Sequence, residues 1–312
     1  MRHWIVRFVA VCIVVVVTYS ANAQTKITLG YTSSTSWTGA FIAKDQAFFS
    51  KHNIDADLTF IAVNPSIPPS LIAGSLQVGG IATPEVLRAV DSGMELVIVA
   101  GALQALGKAA TGPSGGGVIG QNGLEIKEPQ DFVGKKVGVP GIGSAMDIGF
   151  RKWLFDNGVN LKSVTFVEVP FPQGGDVLKA KLVDAVVSNS PFFGRILDSH
   201  AGYLIRDHLR ELGGGVSTMY VATREWVSQH QDAVREFREA LIEANAFLKE
   251  NPDAAKASVA KWTKLPPEAQ ANIVLPTLKP VVVATDLTIW SNAMVEQGLL
   301  KTSPDLSNVI AP

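Results

Sequence analysis

Leu71-Ile72-Ala73-Gly74-Ser75-Leu76-Gln77-Val78-Gly79-Gly80-Ile81-Ala82-Thr83-Pro84 is echoed by Leu178-Lys179-Ala180-Lys181-Leu182-Val183-Asp184-Ala185-Val186-Val187-Ser188-Asn189-Ser190-Pro191. The match runs from Leu71-Ile72-Ala73 onto Leu178-Lys179-Ala180, and from Ala82-Thr83-Pro84 onto Asn189-Ser190-Pro191, without a gap. Each copy reads as a small helix, a strand, and then a hydroxyl residue before a proline. The identities are few, so chance competes with duplication. The constant offset, and the fall of both copies at strand-to-helix junctions, favour two related lobes.

Outward from these copies, short apolar runs alternate with amphipathic segments, the pattern of an α/β fold. Strands are predicted at Ile27–Tyr31, Leu58–Val63, Val78–Ala82, Leu96–Ala100, Lys136–Val139, Val164–Val169, Ala185–Ser188 and Ser217–Ala222. Helices are predicted at Gly39–Lys51, Pro68–Ala73, Pro84–Val90 and Ser144–Asn157. Two glycine clusters, Gly112 to Gly117 and Gly213 to Gly215, bracket a middle segment. They are either flexible surface loops or crossings between lobes. As crossings they place one discontinuous lobe at residues 24–107 and 216–312, the other at 108–215, and hinges near Gly107–Gly117 and Gly213–Gly215. In the last third, Val234, Phe237, Leu241, Ala244 and Leu248 form an apolar stripe, and Asn251-Pro252-Asp253 opens a further helix. Both helices read as packing on the outside of the discontinuous lobe.

The first 23 residues read as a signal peptide. Arg2, His3 and Arg7 precede an apolar run from Phe8 to Val17, and Ala21-Asn22-Ala23 places cleavage before Gln24. The run is about half the length that spans a bilayer as a helix. Cleavage removes Cys12, the only cysteine, so the mature chain has no disulfide, thiolate nucleophile or cysteine metal ligand. The formal charge is −1 and no Lys/Arg block occurs, which argues against nucleic acid or an anionic membrane as partner. With 47% apolar residues the chain can build a substantial core without cross-links.

In open α/β sheets, ligands lie beyond the carboxyl ends of the strands. Here those ends are rich in hydroxyls and amides: Thr32 to Thr38 after the first strand, with Thr83, Ser144, Asn189 and Ser190 further on. Thr83 and Ser190, each before a proline, are predicted N-caps, and Ser144 with Asp147 resembles a capping box. Such helix starts either simply stabilise the helix or hold an oxyanion without Arg or Lys. Trp37 either stacks on a ligand or covers a core edge, and Asn189 either reads the ligand or ties down its loop. Gly141-Ile142-Gly143 fails the dinucleotide fingerprint, because Met146 stands where its third glycine belongs. No phosphate loop or Gly-x-Ser-x-Gly elbow occurs. His52, His200, His208 and His230 are dispersed, most of them expected on the surface, so neither a metal nor a catalytic centre is expected.

From about Lys26 to Thr263 the chain resembles the nitrate/sulfonate/taurine-type substrate-binding proteins of ABC transporters. The resemblance rests on Ala43 to Ile54, Leu71 to Val78, Val183-Asp184-Ala185 and, most specifically, Pro129-Gln130-Asp131-Phe132-Val133-Gly134-Lys135-Lys136-Val137-Gly138-Val139. Lys181 stands where the family commonly has glycine, and Gly79 where it often has an acidic residue. The resemblance implies a type II two-lobe periplasmic-binding fold with two crossovers and extra C-terminal helices on the first lobe. It implies hinge closure on a small molecule, an ABC permease of the inner membrane as partner, a soluble periplasmic monomer, and no catalysis or cofactor. Ligand contacts are expected at Ser33, Ser34, Trp37, Thr38, Thr83, Ser144, Asn189 and Ser190. The ligand expected is singly charged or neutral: a sulfonate, a carboxylate or a pyrimidine-like compound. Two alternatives are an enzyme related to thiamine-pyrimidine or menaquinone precursor synthesis, and a ligand-presenting partner of a membrane sensor. The pyrimidine-forming relatives carry a cysteine-rich motif that the mature chain lacks.

Overall fold

A computed structural model describes residues 24–62, 64–106, 115–208, 210, 214–266 and 269–312. The expected signal peptide, residues 112–114 of the first glycine cluster and Gly213 lie outside the described residues. The strands are β1 (Thr25–Tyr31), β2 (Ile54–Phe60), β3 (Val78–Ala82), β4 (Leu96–Gly101), β5 (Gly116–Gln121), β6 (Lys136–Val139), β7 (Thr165–Glu168), β8 (Ala185–Asn189), β9 (Gly202–Arg206) and β10 (Thr218–Thr223). They form two five-stranded sheets, ordered β2-β1-β3-β10-β4 and β7-β6-β8-β5-β9. The two sheets share a layout. Three parallel strands come first, and a fourth runs antiparallel to the strand on either side of it: β10 between β3 and β4, β5 between β8 and β9. The chain passes between the sheets twice, after β4 and before β10. β3 and β8, the strands of the echoed stretches, hold equivalent places.

The helices are α1 (Thr38–Asp45), α2 (Phe48–Lys51), α3 (Ile67–Ile72), α4 (Thr83–Asp91), α5 (Ala145–Asp156), α6 (Gly174–Lys179), α7 (Phe192–Asp198), α8 (Arg224–Gln229), α9 (Gln231–Glu250), α10 (Pro252–Trp262) and α11 (Thr285–Glu296). One face of the first sheet, with Ile27 and Leu29, packs on Phe41, Ile42, Phe49, Phe237 and Leu241. The other face, with Ile81, Ile98 and Val221, packs on Ile67, Leu71 and Val86. In the second sheet, Ala185 and Val187 point to Phe150 and Leu154, while Val186 points to Leu178 and Ile196. That alternation is the pleat of a strand covered on both sides. The α9 stripe is buried as expected: Val234, Phe237, Leu241 and Ala244 lie in the core and Leu248 packs against it.

Several elements differ from the sequence expectation. The helix over Gly39–Lys51 is two helices, because Ala47 takes a left-handed turn (φ 59°). This lets Phe49 stack on Phe237 (5.4 Å between centroids) while Phe41 stacks on Trp262 (6.1 Å). The second strand starts earlier, at Ile54, with Ile54, Ala56 and Leu58 buried and Asp55 and Asp57 exposed. The glycine-rich passage ends in a strand, β5. A Cβ on Gly117 would lie 2.6 Å from the Arg206 carbonyl oxygen, so absent side chains there mark close packing, not looseness. His208 is fully buried, bonded to the Met146 carbonyl (3.2 Å) and edge-on to Phe150, rather than on the surface.

Candidate functional site

The carboxyl ends of β1, β3, β6, β7 and β8 open onto one cavity of about 320 Å³. Both sheets line it: Ser34 and Trp37 follow β1, Ser144 follows β6, Phe171 follows β7, and Asn189 ends β8. This is the place where unpaired helix starts and strand-end side chains converge in α/β sheets.

Hydroxyls and amides tie the two sheets together at its edge. Ser34 Oγ accepts the Ser36 N–H (3.1 Å), capping the turn Thr35–Trp37, and lies 2.9 Å from Ser36 Oγ. Asn189 Nδ2 donates across to Ser34 Oγ (3.4 Å), and Asn189 Oδ1 accepts from the Ser190 N–H (2.8 Å). Asn189 therefore ties down its own loop and also reaches the other sheet. The Ser190 carbonyl accepts from the Thr35 N–H (3.2 Å) and hydroxyl (3.3 Å). Trp37 is 1% exposed, donates from Nε1 to Thr32 Oγ1 (3.2 Å), and has the Tyr220 ring 5.6 Å away. It is a core residue with one side on the cavity.

Of the eight residues expected at the ligand, Ser34, Trp37, Ser144 and Asn189 line the cavity, whereas Ser33, Thr38, Thr83 and Ser190 are outside the lining. Thr38 Oγ1 donates to the Thr35 carbonyl (2.6 Å) inside the first turn. Thr83 is not a cap: it is the first residue of α4, and its hydroxyl donates to the Val216 carbonyl (2.5 Å). Ser190 is not a cap either, since α7 begins two residues later. Ser144 does cap α5, accepting the Asp147 N–H (3.3 Å), while Asp147 Oδ2 accepts the Gly143 N–H (2.6 Å). The reciprocal bond thus reaches one residue beyond the expected capping box.

Sequence reading missed a third wall. Val274 to Thr277 and Trp290 of α11 reach the cavity from the C-terminal region, and Leu103 to Leu106 approach after β4. Trp290 is fully buried, and its Nε1 has no hydrogen-bond partner among the described residues. Beside the cavity, α4 of the first sheet faces α5 of the second. Burial pushes the Glu85 carboxyl up to about 8, against the pull of Arg88 and with a push from Asp147. Burial also raises Asp147, opposed by its ion pair with Arg151 (2.7 Å) and by the Gly143 N–H. No group of three or more potential metal ligands occurs among the described residues, and none of their helices is long and apolar enough to cross a membrane.

Residues 34–255 match the family model described as NMT1/THI5 like, and the chain belongs to that family. It is 27% identical over 232 residues to a binding protein of Brucella abortus (strain 2308), covering 72% of this chain and 67% of that protein. The fold is that of periplasmic binding proteins. It superposes on the periplasmic aliphatic sulphonate binding protein SsuA from Escherichia coli with a TM-score of 0.73 and 19% identity, covering 92% of this chain and 97% of that one. The desulfurization enzyme DSZB shares the fold as well: TM-score 0.66, 14% identity, 93% and 97% covered.

Proposed function

We propose that this chain is the solute-binding protein of an ABC importer, capturing a small anionic or neutral organic molecule in the cavity between its sheets. In this reading residues 1–23 are a cleaved signal peptide and the protein works in the periplasm as a soluble monomer beside a membrane permease. Its lobes are residues 24–107 with 216–312, and 108–215. They close by bending at the two crossings, with Ser34, Trp37, Ser144 and Asn189 against the solute and Ser33, Thr38, Thr83 and Ser190 shaping the loops that hold them. The observation that carries the reading is one cavity walled by both sheets and bridged by Asn189 and Ser34. A solute touching both walls favours the closed arrangement by its differential affinity for it.

The protein is read as non-catalytic. The cavity lining among the described residues holds no Asp, Glu, His, Lys, Arg or Cys. Acid–base or nucleophilic chemistry draws on those groups first. The test combines a thermal-shift screen of residues 24–312 against sulfonates, carboxylates and neutral ring compounds with small-angle scattering on each stabilising compound. A solute at about a hundred times its dissociation constant stabilises by about 2.7 kcal/mol. The reading expects such a compound to shrink the radius of gyration and to be recovered unchanged. A bound compound that leaves the radius unchanged sinks the hinge, and one recovered as a product sinks the non-catalytic reading.

A further inference from the structure

Taking the binding-protein reading as given, we propose that the solute is an uncharged ring compound with an apolar body. It carries an acceptor for the indole N–H of Trp290 and a donor for the carboxamide oxygen of Asn64. Three observations converge on this class. Among the described residues lining the cavity there is no charged side chain, and an ionised solute buried there would lose water without gaining a counter-ion. The positive end of α5, the natural anion cradle at this junction, already holds the buried carboxyl of Asp147, bonded to the Gly143 N–H and paired with Arg151. A second negative charge beside it would meet repulsion as well as desolvation.

The remaining lining states what fits instead. Trp37, Phe171 and Trp290 bring aromatic rings from three separate chain segments, and Leu103, Met146 and Leu275 add apolar surface. Two residues of the lining each carry a buried polar atom with no partner among the described residues: the Trp290 Nε1, a donor only, and the Asn64 Oδ1, an acceptor only. Buried polar atoms of this kind are nearly always satisfied, and a bound solute is the partner this placement points to. The volume of about 320 Å³ suits one or two rings.

The test measures calorimetric affinities for matched pairs that differ in charge: benzamide and benzoate, nicotinamide and nicotinate, benzenesulfonamide and benzenesulfonate. The neutral member of at least one pair should bind ~10-fold or more tighter than its anion, and Trp290→Phe should weaken it by ~5- to 10-fold. In the wild-type protein the Trp290 indole proton should move downfield on binding, a readout that holds even if the variant fails to fold. A tighter anion in every pair that binds overturns the inference and leaves the binding reading standing. So does an unmoved indole resonance. Silence from both members of every pair overturns it too, because the class named is the class in the panel. The binding reading then stands or falls on the wider thermal-shift screen.

Discussion

Lys181 takes a φ of 56° at the end of α6, where Lys181 N–H bonds to Leu178 and Leu182 N–H to Val177. The same pair of bonds closes α3, from Gly74 to Leu71 and from Ser75 to Ser70, with φ 73° at Gly74. This is a Schellman ending, and its left-handed residue is cheapest as glycine. Lys181→Gly should therefore raise the stability of the protein by ~1 kcal/mol, read as a higher urea midpoint with an unchanged slope. A loss of stability would show that the lysine has a tertiary role that the helix end does not reveal. The family's other departure, Gly79, has an equally local cause: a Cβ there would overlap the side chain of Ile67, leaving no room for an acidic residue. Sequence reading found the departing residues but not their reasons. Backbone handedness and a neighbour from twelve positions earlier are invisible in a linear pattern.

The seam between α4 and α5 joins the two sheets through charged side chains. The guanidinium of Arg88 lies over Gly143, where an added Cβ would come within 2.7 Å of its Cζ. Glu85 Oε2 and Arg88 Nε are buried with no hydrogen-bond partner among the described residues, and both side chains interact electrostatically with Asp147, itself paired with Arg151. Glu85 holds its proton to about pH 8 in the folded protein, against 4.5 ordinarily. Its contribution is therefore full below about pH 4.5 and is lost as the pH rises through 8. Glu85→Gln should match the wild type near pH 5 and surpass it increasingly toward pH 9, by on the order of a few kcal/mol. Urea midpoints across that range that stay parallel would refute the buried, proton-holding carboxyl. Elements with a strong period, such as α9, were legible from sequence, as was the strand in each echoed stretch. α11 was not: its apolar residues carry no cap or motif, and only the fold brings Trp290 to the cavity some 250 residues after Trp37.

At the scale of the whole molecule, the two sheets are joined at the cavity's edge by the Asn189 to Ser34 bond (3.4 Å), beside the bonds from Thr35 to the Ser190 carbonyl. Asn189→Ala removes that bridge. It should lower solute affinity by ~5-fold and enlarge the mean radius of the solute-free protein in scattering, as a lost hydrogen bond shifts the balance toward the open form. Unchanged affinity and radius would place the weight of closure on the α4–α5 seam instead. The two-lobe plan was legible because the two echoed stretches stand at a constant offset and each carries a strand before a hydroxyl and a proline. Which of the hydroxyls line the cavity was not, because a hydroxyl before a proline, as at Thr83 and Ser190, gives no sign of whether it faces a cavity or a neighbouring carbonyl. The seat of β10 between β3 and β4 has one more consequence. The first sheet cannot be completed until the chain has been made as far as Thr223, more than a hundred residues after β4. Throughout that interval β3 and β4 present bare hydrogen-bonding edges that any other strand could occupy. Long-range closure of this kind is slow, so these edges stay open to wrong partners for longer than in a sheet built from sequence-adjacent strands.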